Sequence, residues 1–190
     1  MNIYTSNFKI THSLLIFLIP GLAYAGSFEE FRTIDWNLTK ATVIRRYPQV
    51  VAGKCSVATA STYSDNGIDC ESLYIPEDKY DISGIHFRVT FRFFEKSGLL
   101  ESASLHALEP VPTGKTGKKS SVSICSRIEP MLSTIYGLGQ IDGILDDEAS
   151  YLKKVRWTKD SITVNYRCRY PTYNQVSVHV SFKDAASSDR

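Results

Sequence analysis

Residues 86–94 read HFRVTFRFF. Phe87, Val89, Phe91 and Phe93 alternate with His86, Arg88, Thr90 and Arg92; Phe94 is the one apolar residue on the polar parity. A period of two predicts a β-strand with one face buried and one face in water. Lys96-Ser97-Gly98 then predicts a tight turn into a second strand, Leu99–Leu108. Upstream, Cys55–Thr62 and Cys70–Ile75 are further strand candidates, with a turn at Ser64-Asp65-Asn66-Gly67. The stretch DWNLTKATVIRRYP, residues 35–48, reads as a short helix. Thr39 suits the N-cap, Leu38 and Val43 suit a hydrophobic staple, and Arg45 and Arg46 suit the negative end of the helix dipole. Pro48 stops it.

The C-terminal half shows the same order. From Ser121 to Tyr136, Val122, Cys125, Ile128, Leu132 and Ile135 recur at helical spacing, with Pro130 inside and a glycine stop at Gly137. Strand candidates follow at Leu152–Thr158, Ser161–Tyr170 and Gln175–Lys183. In the middle one Ile162, Val164, Tyr166, Cys168 and Tyr170 share a parity, and Thr163, Asn165, Arg167 and Arg169 share the other. The segment EPVPTGKTGKKSS, residues 109–121, reads as a solvated linker. Its GKTGKKSS does not meet the phosphate-loop pattern, and no buried strand leads into it.

The expected fold is therefore α+β: two helix-plus-antiparallel-sheet units in tandem, the helix on one sheet face and the other face open. The expected division is a first unit at 26–108, a linker at 109–120, a second unit at 121–184 and a disordered tail at 185–190.

Residues 1–25 read as a signal peptide. Leu14–Leu22 is apolar but shorter than the roughly 20 residues a membrane-spanning helix needs, and Ala23-Tyr24-Ala25 fits a cleavage site. Residue 26 is Gly, so no lipid-bearing cysteine follows the site, and no membrane anchor is expected after cleavage. The expected location is the periplasm or the exterior. In an oxidising compartment, Cys55, Cys70, Cys125 and Cys168 read as two disulfides. Three pairings are open; 55–70 with 125–168 keeps each bridge within one half. Cys125 on the helix stripe and Cys168 on the covered parity support the second bridge, while the turn at 64–67, nearer Cys70, makes the first less direct. The rival reading, a zinc site, lacks a C-x-x-C pair and flanking histidines.

Two stretches carry a resemblance. Trp36, Leu38-Thr39-Lys40, Val43 and Tyr47-Pro48 resemble the helix opening of small exported domains such as the outer-membrane-assembly small lipoprotein and the beta-lactamase inhibitory protein. Tyr136-Gly137, Val155-Arg156-Trp157 and Asp160–Val164 resemble the closing elements of many uncharacterised periplasmic proteins. The resemblance to the inhibitory protein implies tandem helix-plus-sheet units with a disulfide in each. The lipoprotein's lipid-bearing cysteine has no counterpart here, and no inhibitory contact residue can be matched.

Little in the chain reads as chemistry. No G-x-S-x-G, H-E-x-x-H or G-x-G-x-x-G is present, so no catalytic residue, metal site or cofactor is assigned. IDGILDDE, residues 141–148, reads as an acidic loop without EF-hand spacing. Lys and Arg total 22 against 20 Asp and Glu, too nearly balanced to steer the chain to nucleic acid. The charges are unevenly spread: residues 26–110 hold 9 basic and 12 acidic side chains, residues 111–190 hold 12 and 8. The polar parities supply the candidate binding residues His86, Arg88, Arg92, Arg167, Arg169 and His179. Arginine-rich sheet faces suit carboxylates and protein surfaces; the plainer reading is that these residues only keep the sheet soluble. The expected function is non-catalytic binding of a protein partner, as an inhibitor, immunity factor or envelope accessory. The alternative is a small-ligand or glycan carrier. N-terminal sequencing of protein recovered from the cell envelope is expected to begin at Gly26; an intact Met1 would remove the export reading.

Overall fold

The alternation at residues 86–94 becomes, in a computed structural model, the strand Arg88–Phe93, with Val89, Phe91 and Phe93 fully buried. The structure describes residues 24–54, 65–110, 123–146, 151–172 and 175–185. Its strands in chain order are β1 (Tyr24–Ala25), β2 (Val51–Lys54), β3 (Glu71–Ile75), β4 (Tyr80–Ile82), β5 (Ile85–His86), β6 (Arg88–Phe93), β7 (Leu100–Pro110), β8 (Gln140–Asp146), β9 (Tyr151–Lys159), β10 (Ile162–Thr172) and β11 (Gln175–Asp184). Three α-helices are described: α1 (Phe28–Arg32), α2 (Lys40–Arg46) and α3 (Ser123–Tyr136).

The expected two-unit arrangement is overturned. The strands form one eight-stranded antiparallel sheet in the order β2-β3-β6-β7-β11-β10-β9-β8, beside a small sheet β1-β4-β5. The halves merge because β7 pairs with β11 from Gln175↔Pro110 to Lys183↔Ser102. An unpaired strand edge leaves a row of N–H and C=O groups to be satisfied, and each half supplies the other's missing partner. Alternation in sequence reports which face a residue takes. It does not report which edge a strand joins, and that is how the tandem reading failed.

One core lies beneath this sheet. Phe31 of α1 stacks on Phe182 of β11 at 4.9 Å, and Tyr47 after α2 stacks on Phe91 of β6 at 5.2 Å. Tyr136 at the end of α3 donates to the Phe28 carbonyl, 108 residues away, at 3.4 Å. Glu30 accepts from the Tyr47 hydroxyl at 2.6 Å and from the Tyr80 hydroxyl at 3.0 Å, tying α1 to the chain after α2 and to the small sheet. All three helices thus lie on the Phe91–Phe182 face of the large sheet.

Local signals formed as the residues dictate. The Thr39 side chain accepts from Thr42 N at the start of α2, and Leu38 and Val43 are both buried. Gly137, at φ +86°, ends α3, and its carbonyl accepts from Trp157 Nε1 at 2.9 Å. Two residues on, a Cβ at Gly139 would fall 2.6 Å from the Trp157 ring, so the return past Trp157 needs glycine. α3 runs through Pro130. The Cys125–Cys168 disulfide joins α3 to β10 with Cα atoms 5.9 Å apart. Cys70 is also disulfide-bonded; Cys55 lies outside the described residues, and so do most of the leader, 111–120 of the expected linker and 186–190 of the expected tail. Glu109 and Pro110 of that linker belong to β7, and Glu109 Oε2 accepts from Ile124 N at 3.1 Å at the start of α3.

Some elements were not foreseen. α1 is short and capped by Ser27. The expected acidic loop at 141–148 is in large part the edge strand β8. β1 pairs in parallel with β4; cleavage after Ala25 would remove it and leave Gly26, whose N–H donates to the Asp81 carbonyl at 2.8 Å.

Unfolding in urea is expected to give one transition, the same by tryptophan fluorescence and by far-UV dichroism, because both halves share sheet and core. Phe31→Ala should lower stability by about 3–5 kcal/mol and shift the whole transition. Two separated transitions would show that the halves fold apart.

Candidate functional site

The face opposite the helices carries the polar parity of every long strand. Register sets its rows. Arg88 of β6 stands opposite His106 of β7, His106 opposite His179 of β11, His179 opposite Arg167 of β10, and Arg167 opposite Lys154 of β9. Five basic or titratable side chains from five successive strands therefore form one row. At about 4.8 Å per strand the row spans roughly 19 Å.

The neighbouring row is neutral at its centre: Thr90, Ser104, Ser181 and Asn165, with Arg156 at its end. One row further, Arg92, Ser102, Lys183 and Thr163 oppose one another. Ser102 and Ser104 are 3% and 8% exposed, so the central strand is a floor of small side chains beneath longer ones from its neighbours. At a shift in the β6–β7 ladder, Glu101 accepts from Lys183 Nζ at 2.5 Å.

Of the six residues proposed from sequence, Arg88, Arg167 and His179 share the row. Arg92 and Arg169 lie on the same face in other rows, Arg169 opposite Ser177 and Leu152. His86 does not join them. It belongs to β5 of the small sheet, opposite Asp81, with Nδ1 3.7 Å from that carboxylate. His106 and Lys154 complete the row without having been selected. Their signal was present, since LHAL and KKVRW alternate too, but only the register shows that they oppose Arg88 and Arg167.

Arg88 is exposed and lies over the Tyr74 ring at 4.2 Å, which orients its guanidinium. Neither Arg167 nor Lys154 makes an ion pair among the described residues. Over β9–β11 the face deepens into a cleft of about 380 Å³, lined by Lys154, Arg156, Asn165, Arg167, His179 and Ser181, with Asp142 on one side. Asp142 sits where the β8–β9 ladder shifts, and its carboxylate is 2.6 Å from Arg156.

The two histidines are held neutral. His179 is exposed at the surface of the sheet, yet crowding by neighbouring side chains, then the positive field of His106, Arg167 and Arg92, brings its pKa down to about 4. Burial lowers the pKa of His106 as well; Glu77 opposes this and Arg88 adds to it. Among the described residues no three His, Cys, Asp or Glu side chains gather to hold a metal ion, and no helix is long and apolar enough to cross a membrane.

Compared with known proteins, the chain matches no family model, no curated protein and no solved structure. The geometry above is therefore the basis for any functional reading.

Because His179 binds its proton less readily in the folded chain than in the unfolded one, stability should rise with pH between about 4 and the ordinary histidine value of 6.5 and lose this contribution as pH falls through that window. Urea melts at intervals across that range are expected to give a shallower pH dependence for His179→Gln than for wild type. Equal slopes would show that His179 is unperturbed.

Proposed function

We propose that this chain is an exported, non-catalytic binding protein whose open sheet face engages an acidic surface on a protein partner, as an inhibitor, immunity or envelope-accessory factor would. The leader read at residues 1–25 and the Cys125–Cys168 bridge support export to an oxidising compartment. The observation that carries the binding reading is the row Arg88–His106–His179–Arg167–Lys154. Like charges directly opposite one another destabilise a sheet, and Arg167 and Lys154 stand so, with Arg88 at the far end of the row beyond two neutral imidazoles; a face needed only for solubility would place an acid among them. An acidic partner would neutralise the row, and Arg in such rows makes bidentate bonds to carboxylates. The row runs past the cleft to Arg88, longer than one small ligand requires, which favours a protein surface over the carrier alternative.

Arg88→Glu combined with Arg167→Glu should remove the partner in pull-downs from envelope extract while leaving the melting temperature within a few degrees of wild type. Capture by the wild type should also weaken at least tenfold, in rough terms, when salt rises from about 0.1 to 0.5 M, as steering by exposed charge requires. Capture indifferent to both changes would sink the reading.

A further inference from the structure

Within the open face, the cleft over β9–β11 has features that solvation does not call for. Lys154, Arg167 and His179 stand opposite one another on successive strands. Asn165 and Ser181 line the same space in the next row of that face, two residues along, and both can donate hydrogen bonds. On one side a carboxylate–guanidinium contact already exists between Asp142 and Arg156 at 2.6 Å.

We infer that this cleft is a carboxylate-binding subsite, filled by acidic side chains of a partner protein segment, and that filling it draws a proton onto His179. The inference rests on the reading of the open face given above. Chemistry selects the ligand class. Arg167 and Lys154, which make no ion pair among the described residues, bring two positive charges, and two carboxylates of one segment match them. A phosphate would concentrate that charge at one point, whereas the cations of the row are spread over successive strands. The Asp142–Arg156 pair shows that a carboxylate fits between these strands. The row's continuation to His106 and Arg88 selects a segment bearing several carboxylates over a single small acid.

The proton follows from what faces His179. His106 stands opposite it on β7 and Arg167 opposite it on β10, and Arg92 of β6 adds to the same field. Beyond these come Arg88 of β6 and, on β9, Lys154 and Arg156. Against them stand Asp142 of β8, already held by Arg156, and Glu77, in the 3-10 turn Glu77–Lys79, whose field acts on His106. Lys183 of β11 is taken up by Glu101. The surroundings are mainly positive and disfavour imidazolium. A carboxylate placed among them opposes that field and raises the proton affinity of the imidazole, while the burial that is the larger cause of its lowering stays in place. Full recovery is the upper limit and would tighten binding about tenfold between roughly pH 7.5 and pH 5.5. Protonation of the ligand's own carboxylates acts in the opposite direction.

The test is titration calorimetry of the mature chain with a short oligoglutamate peptide at those two pH values, each in two buffers of different ionisation heat. The expected result is binding that tightens at the lower pH, by up to about tenfold, with buffer-dependent heats that report proton uptake. Arg167→Glu with Lys154→Glu should weaken it at least tenfold, in rough terms, while Lys96→Glu on the distant hairpin leaves it unchanged. His179→Gln should flatten the pH dependence. No binding of the peptide, binding insensitive to Arg167 and Lys154, an affinity independent of pH, or inorganic phosphate or glutarate binding as tightly as the peptide would each overturn the inference. Partner capture that depends on Arg88 but not on Lys154 would remove the subsite and keep the broader reading.

Discussion

The ladder between Leu100–Pro110 and Gln175–Asp184 is what the rest of the molecule depends on. Those residue pairs join strands from opposite ends of the chain into the middle of one sheet. They place Phe182 under Phe31 and Tyr136, so helices from both halves close over a common core. They also set His106 against His179 and so connect the arginines of β6 with those of β10. A slip of one residue would turn each of these side chains to the other face.

The two faces of the sheet obey different physics. Beneath the helices, aromatic rings meet at 4.9–6.3 Å and burial supplies the driving force. On the open face the central row works against stability, since guanidinium, imidazole and ammonium groups stand shoulder to shoulder. Two devices soften this. The imidazoles in the middle stay neutral, and Arg88 spreads its charge over Tyr74.

The edge at β8 shows how nearly such a protein approaches the limits of its own architecture. Ile141, Ile144 and Leu145 are about half exposed along it, where a charged or covered edge would be the safer arrangement. The shift in the ladder at Asp142 interrupts this edge and carries the carboxylate round to Arg156, linking the sheet margin to the cleft.

Much of this was legible in the residues. The period of two assigned the side chains of Arg88–Phe93 and of ITVNYRCRY to their faces. Thr39 marked the start of α2 and Gly137 the end of α3. Cys125 on a helical stripe and Cys168 on the covered parity met as a disulfide. These signals are local, because they come from side-chain periodicity and from backbone conformations that particular residues favour. The tertiary structure alone decided that there is one sheet, that Arg88 and Arg167 belong to one row, that His86 does not, and that 140–146 is a strand. Strand edges are made of main-chain N–H and C=O groups that are the same for nearly every residue. The choice of neighbour therefore leaves no mark on the local pattern, and it emerges only when the whole core packs.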